Sequence, residues 1–466
     1  MDKSSQKLET FQSEPALEHG SSTEYHELER KLESRHIQFI ALGGAIGTGL
    51  FLGIGRALTQ AGPLSLLLGY SISGAAIFCM MQSLGEMCTW LPLPGAIPQF
   101  ADRWVDPALG FAIGWNYWEG AQGVNVAVWI TILIVLVACI NLFAVSVYGE
   151  VEFYFAGIKV IAIIGLILLA FLIDVGATGQ GRIGFRYWKN PGAMKEYVAT
   201  GGFGRFLGFF STLVNAAFSF GGIETVAVAG GEAKNPRRNI PKAVRRVFWR
   251  ILFFYVLGAL AVGVLVPSND EKLLSAQANG SKGAAASPWV IAITHALIKV
   301  LPSIINAVIL SSASSAANAM TFNGSRYLFA LSKNGQAPKI FQKCNKSGTP
   351  WVAVLLVTAI SLLSYLSCSA SSSVAFTWFQ NLATLSSLFT CGFWTFTPWD
   401  ANSFVTTYVG IPLIAILFCF WKFFKKTKWV ASAEADLYRD KAAIDAIIWE
   451  ERKPTTIWGK VWDWLC

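Results

Sequence analysis

The chain has 466 residues, of which 54% are hydrophobic and only 14% charged, against roughly a quarter charged in a soluble domain. That balance excludes a water-soluble enzyme or binding module. Because charged residues avoid the apolar runs, the net charge of +9 belongs in loops at one membrane face rather than on a nucleic-acid surface.

Residues 1–35 are polar and charged, which reads as a cytosolic tail with no cleavable signal peptide. A spanning helix needs about 20 apolar residues. Runs of that kind start near Ile37, Leu64, Val124, Phe153, Phe206, Ile251, Val300, Trp351, Val374 and Phe404. The first holds Gly43-Gly44-Ala45-Ile46-Gly47-Thr48-Gly49. Glycine costs up to ~1 kcal/mol relative to alanine in a helix interior, so this cluster predicts an unwound stretch at mid-membrane. Such backbone is tolerated only where it lines a cavity; the alternative is close helix packing on small residues. Glu86 falls near the end of the second span and reads as a structural or gating group. Pro107–Trp118 is apolar but half the required length.

Lys159 lies inside the run from Phe153. Charges at that depth are costly and by default functional; the choices are a titrating group facing a cavity, a snorkelling lysine or one with a static partner. The run from Phe206 is interrupted at Phe218-Ser219-Phe220-Gly221-Gly222-Ile223-Glu224. Glu224 either binds a proton or satisfies amides freed by the break. His36 and His295 sit at span ends and read as interfacial. The cysteines have no CxxC or His-paired spacing, so no metal or disulfide framework is implied.

Basic stretches at Lys234–Arg250, Arg326–Lys346 and Lys422–Lys428 mark cytosolic loops, and the mixed Pro267–Gly280 reads as external. Two loops on one side must be separated by an even number of spans. Between the tail and Lys234 the full runs number five, so Pro107–Trp118 must be the stump of a sixth. Between Arg326–Lys346 and Lys422 they number three, so a segment is missing near Leu388–Thr397.

The chemistry follows from the breaks. An unwound point exposes amide groups at the start of the next half-helix, which suit a carboxylate. The carbonyls ending the preceding half-helix suit an ammonium. Both within a few ångströms fit an α-amino acid zwitterion, and paired interruptions in two halves point to a transporter site.

His36–Gly55 (HIQFIALGGAIGTGLFLGIG), Leu84–Trp118, Phe218–Val247 with FSFGGIE and GEAKNPRRNIPKAVRRV, Ser287–Phe341 and Phe404–Tyr408 together resemble the fungal amino acid permeases of the amino acid–polyamine–organocation superfamily. The resemblance covers nearly the whole chain. It implies an all-α integral membrane protein with a five-plus-five inverted repeat, no cofactor, and proton-driven amino acid import at the plasma membrane with both termini cytosolic. Repeat one would occupy about 36–174 and repeat two about 206–396. An extra span would lie at 404–422, within a membrane domain of 36–422, and a tail at 423–466. It implies that Ala45, Ile46, Gly47, Thr48 and Gly49 hold the substrate through backbone. Phe218, Ser219, Phe220 and Gly221 would supply carbonyls and a lid ring. Lys159 would stand where related carriers bind sodium, with Glu224 as the second candidate for proton coupling.

The chain departs from that pattern where parity fails. After Trp118 the family's Pro-x-Glu segment is absent, and Glu119 is no evident substitute; part of spans ten and eleven is absent near Leu388–Thr397. Ile457, Trp458, Val461, Trp462 and Leu465 follow helical spacing, which reads as an interfacial helix or a solvated tail. Cys466 resembles an acylated terminal cysteine, and Lys3 and Lys7 are candidate ubiquitin acceptors for ligase adaptors at the tails. The rival expectations are an amino-acid-sensing receptor on the same scaffold and a product that does not transport.

Overall fold

The computed structural model describes residues 30–119, 127–178, 181–278, 287–298, 300–362 and 410–430, together with Ala435 and Lys441. Lys3, Lys7, the 120–122 junction, the run from Val374, the Leu388–Thr397 junction, Phe404–Tyr408, the face from Ile457 to Leu465 and Cys466 lie outside the described residues.

Among the described residues the regular structure is helical, apart from one parallel bridge between Leu32 and Ala233. The first span is split into α1 (Ser34–Ala45) and α2 (Ile54–Ala61), joined through a π turn at Gly49–Gly53. Gly62 turns the chain at φ +82°, a conformation that glycine adopts without a Cβ penalty. Pro63 then opens α3 (Pro63–Trp90) at the first helical position, where its missing amide costs nothing. There follow α4 (Ala96–Trp104), α5 (Pro107–Glu119), α6 (Ala127–Leu142) and α7 (Val145–Asp174). The second split span is α8 (Gly201–Ser219) and α9 (Thr225–Gly230). After it come α10 (Pro236–Leu265), α11 (Glu271–Ala278), α12 (Pro288–His295), α13 (Leu301–Lys333), α14 (Trp351–Ser361) and α15 (Gly410–Lys425).

Four described spans are long and apolar enough to cross a membrane: Ser34–Ala61, Pro63–Trp90, Val145–Asp174 and Pro236–Leu265. α13, with 33 residues, is long enough but more polar. Its Ser312, Ser315, Asn318, Asn323 and Arg326 are all buried, so its polarity faces protein. Conversely, Ile132, Tyr154, Ile161, Leu168 and Phe171 are exposed on α6 and α7, an outward apolar surface of the kind a bilayer covers. α5 is described as far as Glu119, where the described residues break off before α6.

The basic segments gather at one end. Leu32 N donates to Glu232 O (3.0 Å) and Lys234 N to Leu32 O (2.7 Å). Gln336 Nε2 donates to Pro107 O at 2.8 Å, and Lys422 pairs with Asp106, whose Oδ1 caps α5 through the Ala108 amide at 2.8 Å. At the opposite end Lys195 N donates to Ala61 O at 2.9 Å, and α11, from the loop read as external, packs on α2.

One expectation is corrected here. Arg326 was assigned to a basic loop by its sequence neighbours, but α13 continues to Lys333 and buries Arg326 against Glu232, with Nε to Oε1 at 2.7 Å.

Candidate functional site

α1 keeps helical hydrogen bonding as far as Ile46, whose amide donates to Leu42 O at 2.8 Å. The Gly47 amide turns instead to Ala45 O, also at 2.8 Å. The break is therefore narrower than the glycine cluster suggests: Gly43 and Gly44 remain helical, and Ile46-Gly47 carries the interruption. Thr48 and Gly49 then open the second half-helix, where first-turn amides have no preceding carbonyl to bond.

The second break mirrors the first. α8 runs to Ser219, Phe220 N still reaches Ala216 O (2.9 Å), and Gly221 N turns to Phe218 O (3.1 Å). Gly222 sits at φ +93°. The Glu224 carboxylate accepts from Gly222 N at 3.0 Å, the backbone-satisfying one of its two expected roles.

The two breaks touch. A Cβ on Gly49 would lie 2.7 Å from Ser219 Cα, and one on Gly222 would lie 2.6 Å from Gly44 O. The Tyr255 hydroxyl on α10 reaches Ala45 O at 2.8 Å and Ser219 O at 2.6 Å. A hydroxyl has one hydrogen, so it serves one carbonyl fully at a time and leaves the other open to a donor. Its ring stacks on Phe220 at 4.6 Å and on Tyr70 at 5.9 Å, and Tyr70 Oη lies 2.9 Å from Ser219 Oγ.

Not every expected residue joins this cluster. The Ile46 carbonyl is taken by Ser312 Oγ at 2.9 Å. Thr48 and Phe218 are half-buried and Gly221 is exposed. Phe220 packs in the tyrosine stack, and Phe218 does not join it as a lid. Removing the hydroxyl with Tyr255→Phe should cost about 0.5–1.5 kcal/mol of stability while slowing uptake several-fold. Comparing surface abundance with initial uptake rate checks this; equal rates would remove Tyr255 from the site.

Lys159 does not face an open cavity. It is fully buried, and its Nζ donates to Gly43 O at 2.5 Å and Ser315 Oγ at 2.9 Å. Ser315 Oγ donates in turn to Glu152 Oε2 at 2.6 Å, while Asn318 Nδ2 donates to Glu152 Oε1 at 2.7 Å. Asn141 Nδ2 donates to Asn318 Oδ1 at 2.7 Å. Sequence reasoning missed Glu152 and Tyr255. Glu152 carried a signal, since it lies seven residues before Lys159 and so on the same helical face. Tyr255 carried none, being one aromatic inside an apolar run.

Away from the breaks, a groove of about 490 Å³ is lined by Glu86, Trp90, Arg237, Arg245 and Lys441 among others. His36 Nε2 lies 3.1 Å from Glu150 and His295 3.6 Å from Asp270. Among the described residues, no group of three or more His, Cys, Asp or Glu is placed to hold a metal.

The family model for amino acid permeases matches residues 36–120 and 117–393. The chain belongs to the amino acid permease family. The permease is 37% identical over 527 residues to the proline-specific permease of Emericella nidulans, covering 97% of this chain and 96% of the relative. It is 36% identical over 506 residues to the lysine-specific permease of Saccharomyces cerevisiae, covering 93% and 82%. Among solved structures, a sodium-coupled sialic acid symporter in a substrate-bound outward-open state aligns with 85% of this chain and 90% of its own, at TM-score 0.49 and 10% identity.

The two stretches of the family match overlap at 117–120, at the end of the described part of α5. Ninety-seven per cent of 466 residues is about 452, so roughly 75 of the 527 aligned positions face no residue of the permease. Absent internal segments were the expectation from parity, and this shortfall agrees with it.

Proposed function

We propose that this multi-pass permease imports an α-amino acid across the plasma membrane together with protons, gripping the zwitterion at the two helix breaks. The observation that carries the reading is the direct backbone contact of the breaks, with one tyrosine hydroxyl reaching a carbonyl of each. In this reading the amides of Gly47, Thr48 and Gly49 take the carboxylate, and the carbonyls of Ala45 and Ser219 exchange Tyr255 for the ammonium. Ile46, Phe218, Phe220 and Gly221 shape the walls. Lys159 is the charge that couples flux to protons, and Glu224 holds the second break in its turn.

Clustering of the basic segments at one end supports cytosolic termini. The halves 36–174 and 206–396 rock about the site. No cofactor is required. One proton falling through ~100 mV gains ~2.3 kcal/mol, and one pH unit adds about 1.4 kcal/mol. Together these support accumulation of several-hundred-fold for a neutral substrate. Lys3 and Lys7 would meet ubiquitin-ligase adaptors, and Cys466 would carry an acyl chain beside the interfacial helix.

Uptake of radiolabelled proline and lysine in a permease-deficient fungal host tests the reading. Proline comes first because the described residues at the breaks offer no acidic side chain that is not already holding backbone. Accumulation that rises as external pH falls is the expected result. Surface-localised protein with no flux of any amino acid sinks it, and favours the second reading, a scaffold that binds without transport, which the unmatched positions support.

A further inference from the structure

The polar network behind the first break has a direction. Lys159 donates to Ser315, Ser315 donates to Glu152 Oε2, Asn141 donates to Asn318, and Asn318 donates to Glu152 Oε1. Both side-chain relays end on Glu152, one at each carboxyl oxygen, and its side chain is fully buried. Two acceptor oxygens suit the ionised form, and the protonated form would instead donate one O–H to Ser315. Among the described residues no direct ion pair within 4.0 Å joins Lys159 to Glu152; the Ser315 hydroxyl stands between them. Glu152 also presses on α1, since a Cβ on Gly43 would lie 2.5 Å from its Oε2.

We infer that Glu152 is the seat of the transported proton, and that Ser315 reports its charge state to Lys159 and so to the first half-helix. The inference rests on the proton-coupled reading above and moves the proton from Lys159 to a residue that reading leaves out. The step is a simple addition. A proton enters on Glu152 Oε2, and the new O–H donates to Ser315 Oγ. The Ser315 hydrogen rotates away, and its two lone pairs accept from Glu152 and Lys159. Lys159 keeps all its protons. The pair passes from neutral to a net charge of plus one, leaving a buried ammonium without its anion beside Gly43 O.

That ammonium favours the arrival of a substrate carboxylate at the neighbouring break, and by linkage the substrate favours the proton. Amide side chains do not relay protons at ordinary pH, so Asn318 and Asn141 hold the carboxylate without draining it. Because Glu152 and Lys159 stand on α7, Ser315 and Asn318 on α13 and Gly43 on α1, protonation loosens three elements at once.

The surrounding charges are accounted for. Tyr148 lies one turn earlier on α7, stacked on Phe322 at 4.4 Å. α13 brings Arg326, engaged by Glu232. α1 brings His36, held by Glu150, and α10 brings Arg250, whose Nη1 reaches Gln38 at 3.4 Å. α6 offers the uncharged Asn141.

The test uses the full chain in proteoliposomes, with radiolabelled proline. Glu152→Gln is expected to keep proline counterflow, which needs binding and alternation only, and to lose at least ~10-fold of the accumulation driven by an imposed pH gradient, the size of a modest coupling free energy. In pH-difference infrared spectra the parent should show a protonated-carboxyl stretch that disappears in Glu152→Gln. Ser315→Ala, a milder change, should retain that stretch at a shifted titration midpoint. Gradient-driven accumulation equal to the parent in Glu152→Gln, a carboxyl stretch that survives in it, or an unshifted midpoint in Ser315→Ala would each overturn the inference. If the parent shows no counterflow, the transport reading fails, while the infrared signature still decides whether Glu152 takes up a proton.

Discussion

Glu232→Ala is expected to destabilise the permease by about 3–5 kcal/mol, the usual cost of stranding one partner of a buried ion pair. Arg326 is 1% exposed, donates to both Glu232 oxygens at 2.7 and 3.4 Å, and lies with its guanidinium 4.0 Å over the Phe322 ring. Without Glu232 its charge would keep, among the described residues, the Ser325 hydroxyl at 3.0 Å and the Phe322 ring. The pair ties α13 to the turn after α9, beside the bridge between Leu32 and Ala233, so its loss should also free the tail from that turn. The double variant Glu232→Leu with Arg326→Met should recover most of the loss, because an apolar pair of similar volume avoids burying charge. Arg326→Lys should fall between, since lysine keeps the charge but not the two-point fork. Thermal unfolding of detergent-solubilised protein, followed by monodispersity, reads all three. A loss below ~1 kcal/mol in Glu232→Ala would mean water reaches Arg326 and that the pair resembles a surface bridge.

That ion pair also marks where sequence reading stops. Arg326 belongs by its neighbours to a basic run, and its partner is 94 positions away; nothing local distinguishes a buried arginine from a loop arginine. Glu152 was missed because the apolar run was counted from Phe153, placing the carboxylate just outside it, although α7 begins at Val145. The breaks were legible because glycine weakens a helix whatever surrounds it. Their extent was not, because two uses of glycine overlap in one cluster. Gly43 and Gly44 stay helical and serve close approach, to Glu152 and to Gly222, while Gly47 sits in the interruption itself. The expectation of missing segments follows from topology alone: parity of basic loops is a global constraint that needs no contact information.

The same overlap makes the glycines separable by experiment. Gly222 combines φ +93° with a Cβ position 2.6 Å from Gly44 O. An alanine there meets left-handed strain of roughly 1–2 kcal/mol and a clash with backbone that no rotamer change relieves, so Gly222→Ala should lower both surface abundance and uptake. Gly47 is different. Its φ is not positive, and a Cβ would meet Ala316 Cβ at 3.6 Å and Ala45 O at 4.0 Å, both ordinary contacts. Gly47→Ala should therefore leave the fold intact, and Gly47→Val should abolish uptake at normal surface abundance, because the added methyls fill the approach to the amides of the first break. Packing damage lowers both readouts together, whereas a blocked ligand lowers only flux. Unchanged uptake in Gly47→Val would show that the substrate never comes to this backbone, and would leave the contact of the two breaks as a hinge rather than a binding site.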